Sequence, residues 1–85
     1  MDPVIVIELL GSAVESVDGD SARRKRIWRS KHMPLSEVLA ELSLIEREAS
    51  DVTVVRLIAM AKQVLTGKRP SAEFVALCNK VSGLV

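Results

Sequence analysis

Six cations stand within nine residues: Arg23, Arg24, Lys25, Arg26, Arg29 and Lys31. No acid interrupts them anywhere in residues 22–34, and the same stretch holds the chain's only Trp, Trp28, and only His, His32. The chemistry open to such a run is anion recognition. Arginine offers planar donors to phosphates and base edges, and clustered cations bind a phosphate backbone by displacing its counterions. On a helical wheel these cations point in all directions, with Ile27 and Trp28 between them, so the wheel predicts no single face to bury. A helix of that kind suits a nucleic-acid groove with phosphates on both sides. Trp28 is expected either to stack on an unpaired base or to cover apolar surface. Lys68 and Arg69, with Arg56, Lys62 and Lys80, form a second basic set, read first as solvated surface. Were the 67–70 turn to lie beside the basic run, both could follow one backbone.

Residues 23–31 resemble the arginine-rich motifs of small viral RNA-binding regulators. The resemblance implies RNA in preference to DNA, and there is no helix-turn-helix pattern with a plausible recognition helix. Double-stranded RNA read by shape, as by a viral suppressor of RNA silencing or a similar regulator, is the analogous role. Three other readings of the run stay open: a nuclear-import signal, a solvated charged helix, or a block that pairs with the acids of residues 35–51.

Catalytic patterns are missing from the sequence. There is no G-x-S-x-G, phosphate loop or H-E-x-x-H, and Gly67-Lys68 lacks the remaining P-loop residues. His32 has no Cys or second His at ligand spacing, so no metal site is expected. Glu37 and Glu41 read as surface charge on a solvent-facing stripe. Cys78 falls on an apolar helix face and reads as a buried small hydrophobe. No enzyme, cofactor or small-molecule substrate is expected.

The elements that must carry the run are read from periodicity. Asp2-Pro3 starts a helix over residues 3–17, with a strand over residues 4–8 as the alternative because V-I-V-I is β-branched. Asp20 or Ser21 caps a second helix from residue 22, and Pro34 predicts a break at Met33. Leu35, Val38, Leu42, Ile45 and Ala49 form the stripe of a third helix, extended by Val52. Ser50-Asp51 opens a fourth helix that is apolar on most sides, ended by Gly67. Ser71 is the expected cap of a last helix over residues 72–82.

Composition bounds the rest. An 85-residue chain is one domain by default, and 48% apolar residues exceed what a small monomer easily hides, which points to self-association. The net charge of +1 conceals blocks of alternating sign. Residues 1–20 and 35–51 carry five acids each, and residues 52–85 carry five bases. A lone cysteine, no basic leader and no long apolar run suggest a soluble intracellular protein, cytoplasmic or carried to the nucleus by the basic run.

The sequence therefore predicts an all-α bundle of three to five helices, homodimeric, in one domain over residues 1–85. A basic arm or helix spans 21–34 and a helical core spans 35–85. The predicted function is nucleic-acid binding, RNA preferred, through Arg23, Arg24, Lys25, Arg26, Trp28, Arg29, Lys31, Lys68 and Arg69. The alternative is a protein-interaction module. There the bundle of residues 35–85 receives a partner helix, and the basic run serves localisation or docking.

Overall fold

The Asp2 carboxylate accepts a hydrogen bond from the Val4 amide at 2.8 Å, and Pro3 follows at the first helical position. These start helix α1, Pro3–Asp18. The β-branched run near its start is helical. Val6, Ile7, Leu10, Ala13 and Val14 all become buried, and only a helix puts those five positions on one face. Burial outweighs the modest strand preference of V-I-V-I. Gly19 closes α1 in the left-handed region at φ 70°, donating its amide to the Glu15 carbonyl. The structure, a computed structural model, describes residues 1–83.

Asp20 caps α2, Ser21–Arg29, by accepting from the Arg23 amide at 3.0 Å. The chain then tightens into a 3-10 turn, Ser30–His32. Ser30 is fully buried there, and its hydroxyl donates to the Ile27 carbonyl at 2.7 Å, so no polar atom is left unpaired. Met33 is extended before Pro34, as the proline ring requires. Helices α3, Leu35–Glu48, and α4, Val52–Leu65, follow, with Asp51 capping α4 through the Thr53 and Val54 amides. Helix α5, Ser71–Val81, begins at the residue expected to cap it, one residue earlier than the expected start. Extended Pro70 precedes it, Ser71 is already helical, and no side chain caps it. The described residues thus form an all-helical bundle of five α-helices.

Helix α1 lies against α2, α4 and α5. Its buried face meets Leu57, Ile58 and Ala61 of α4 and Phe74 and Cys78 of α5 in one core, together with Val38, Leu42 and Ile45 of α3. Ile27 of α2 is fully buried in the same core. The core therefore does not begin at residue 35. The expectation that the basic helix has no face to bury is corrected as well: Ile27 is that face, and Trp28 beside it is half-buried. At both ends of the α3 stripe the apolar residues lie outside, with Leu35 47% and Val52 81% exposed. Burial raises the Cys78 thiol pKa to about 11, which keeps it protonated and inert at neutral pH. No helix among the described residues is long and apolar enough to cross a membrane.

Candidate ligand-binding cleft

Helix α2 touches only α1, the 3-10 turn and α3, and the two flanking helices present acids toward it. Arg23 reaches Asp18 at 2.6 Å and Arg24 reaches Glu15 at 2.6 Å, both on α1. Arg26 is held between Glu41 and Glu48 of α3, the latter at 2.6 Å. Those two carboxylates, Glu41 first, raise the Arg26 guanidinium above its ordinary value. Lys31 makes a longer contact with Glu8, at 3.3 Å. Apolar burial of Ile27 and a ring of carboxylates around it explain how a run of clustered cations stays helical. Each pair is partly exposed and contributes no more than about 1 kcal/mol, so the pairs set the docking register more than they stabilise it.

The partners were only partly legible. Pairing with the acids of residues 35–51 was one reading of the run, and Glu41 and Glu48 fill that role. Glu15, Asp18 and Glu8 come from the first acidic block, which sequence reasoning did not connect to the run. Glu41 is therefore not the free surface charge expected of it. The signal available was the alternation of charge sign along the chain.

Trp28 serves the fold. Its indole N–H donates to the Glu8 carbonyl at 3.1 Å, its pyrrole edge lies against Gly11, and the Arg24 guanidinium stacks 4.5 Å from the ring centre. Of the two expected roles, covering protein surface is the one seen. Arg69 bonds Gln63 and Glu73, and Lys62 bonds Glu46 and Ser43. Lys68 and Arg69 sit on the turn joining α4 to α5, and neither of those helices contacts α2. The second basic set is not gathered with the first.

What remains solvent-facing on α2 is a narrower set. Lys25 and Arg29, one helical turn apart, are exposed, and neither makes an ion pair among the described residues. With Trp28, Lys31 and His32 they line an open cleft of about 520 Å³ that has no carboxylate in its wall. Lys31 is also one wall of a second, more enclosed cavity of about 180 Å³. Its other walls are Pro3 and Ile7 of α1, Met33, Leu35 and Val38 around the start of α3, and Leu65 at the end of α4. Met33 and Leu35, 41% and 47% exposed, flank the Pro34 break and frame its mouth. Sequence reasoning missed this cavity because Leu35 read as part of a buried stripe. Among the described residues no cluster of His, Cys, Asp or Glu could hold a metal ion.

No protein-family model, curated protein or solved structure matches the chain.

Proposed function

We propose that this protein is a small interaction module that receives an amphipathic helix of a protein partner in the cavity between α1, the 3-10 turn, α3 and α4. The observation that carries this reading is an apolar cavity with exposed Met33 and Leu35 at its mouth, at a place where burying both would remove apolar surface from water. The basic helix then serves as a docked structural element whose outer face borders the site. The test is an amide NMR titration of the whole protein with a charge-neutral amphipathic helical peptide bearing leucines on one face. Shifts confined to Lys31, Met33, Leu35, Val38 and Leu65 are expected. Shifts elsewhere, or none at millimolar concentrations of either this peptide or a glutamate-bearing form of it, would remove the module.

A second reading, nucleic-acid binding with RNA preferred, keeps one specific support: the carboxylate-free cleft with Lys25, Arg29 and His32 facing solvent. It is a weaker site than the nine expected residues implied, because Arg23, Arg24, Arg26, Lys31 and Arg69 already hold carboxylates. Two or three phosphate contacts predict a slope of log K against log salt of roughly −2 to −3 on duplex. A slope near −5 would mean that the internal ion pairs open to the nucleic acid and would restore the basic helix as the site. The homodimer expected from composition belongs to the same proposal, with a second copy as one candidate occupant of the cavity.

A further inference from the structure

We infer that the partner is an acidic amphipathic helix: one large aliphatic or aromatic side chain enters the cavity at Met33 and Leu35, and carboxylates one and two turns away lie along Lys25, Arg29 and His32. This rests on the module reading and names the chemistry of its partner.

Three observations fit together. The cavity and the cationic cleft are neighbours, since Lys31 lines both. A ligand seated in one has the other within reach past the Lys31 side chain. The cavity, at about 180 Å³, is apolar on nearly every wall. An apolar cavity of roughly 150 Å³ accommodates a benzene ring, so one leucine or phenylalanine side chain is the matching anchor. The cleft beside it holds Lys25, Arg29 and His32 with no acid in its wall, while Lys31, at the boundary with the cavity, is paired with Glu8. Every other cation of α2 is answered by a carboxylate from α1 or α3, so the cleft is where the positive charge of this helix is left for a ligand. A helical partner presents side chains about 6 Å apart at i and i+4, the same spacing that separates Lys25 from Arg29 on α2. Matching rows of opposite charge fix the register of the docked helix and speed its encounter. A nucleic acid would use the cations and leave the aliphatic cavity empty. A neutral apolar helix would use the cavity and leave the cations unanswered. An acidic amphipathic helix uses both.

The experiment compares three probes on the full chain, read by Trp28 fluorescence and amide NMR: a helical peptide of about 15 residues with a leucine anchor and a glutamate row, the same peptide with glutamine in place of glutamate, and a single-stranded RNA. The acidic peptide is expected to bind at least tenfold tighter than the glutamine form at low salt, with the difference shrinking as salt rises. Leu35→Glu should weaken the acidic peptide at least tenfold. Leu35 is half exposed and begins α3, where an acid suits the helix dipole, so this variant keeps its fold. Arg29→Glu should erase the preference for acid while the glutamine peptide still binds. Equal binding of acidic and neutral peptides would overturn the acidic partner and leave the module standing. Binding of neither would overturn both. RNA binding that Arg29→Glu removes and Leu35→Glu does not touch, with no peptide binding, would assign the cleft to nucleic acid instead. A dimer in sedimentation that Leu35→Glu dissociates would make a second copy the occupant and overturn the inference.

Discussion

Ile58→Glu should leave the chain unfolded at neutral pH. Ile58 is fully buried in α4, within the shared core formed with α1, α3 and α5. Losing the isoleucine contacts costs about 2–5 kcal/mol, and a carboxylate with no partner in that place costs several kcal/mol more. A chain of this length has a total stability of roughly 4–13 kcal/mol at typical values per residue, so the two costs together consume most or all of it. The measurement is circular dichroism with thermal melting. The expected result is loss of the cooperative transition. Leu44→Glu is the control: Leu44 is 45% exposed, and its replacement should change stability by no more than about 0.5 kcal/mol. A cooperative melt for Ile58→Glu within a few degrees of wild type would show that α4 does not lie in the core.

Gly11→Ala should destabilise the protein even though alanine is the better helix former. A Cβ at Gly11 would stand 2.3 Å from Nε1 and 2.4 Å from Cδ1 of Trp28. The indole cannot yield as a flexible side chain would, being held by its bond to the Glu8 carbonyl and by the Arg24 guanidinium. Displacing it costs about 1–3 kcal/mol of overpacking and about 1 kcal/mol of hydrogen bond. The helix gains back about 1 kcal/mol. The net loss of about 1–3 kcal/mol lowers Tm by roughly 4–8 °C per kcal/mol in a domain of this size. The sign should reverse once the ring is gone: with Trp28→Ala as background, Gly11→Ala is expected to stabilise by about 0.5–1 kcal/mol. Equal effects of Gly11→Ala in both backgrounds would mean that the glycine is not there for the ring.

Gly11 shows where the sequence could be read and where it could not. Within a helical pattern a glycine signals only lower helix propensity, and the reason for this one lies 17 positions away at Trp28. Periodicity was enough for the helices, since the stripes of α1, α3, α4 and α5 are set by local spacing and capped by residues such as Asp2 and Asp51. The basic helix was legible as a helix but not as a docked one. A helical wheel counts charges and cannot show that acids on α1 and α3 converge on them. Ile27 and Trp28, adjacent apolar residues among the cations, carried the only local sign of a buried face. Met33 and Leu35 were hidden for the opposite reason: the α3 stripe continues smoothly to Leu35, while the Pro34 break lifts that end of it clear of the core. Charge pairing and cavity formation depend on how helices cross, which is a property of the assembled bundle.

Whether α2 is a held part of the bundle or a free cationic arm is decided most directly by native-state hydrogen exchange on the unliganded protein. A free arm of clustered cations would repel itself and fray. With Ile27 in the core and carboxylates from two helices around the arginines, the hydrogen-bonded amides of α2, those of Ile27 and Trp28 above all, should exchange on the timescale of the buried amides of α4, such as Leu57 and Ile58. Rapid exchange throughout residues 22–32 beside a protected α4 would contradict the docked helix, and with it the cleft that the helix borders.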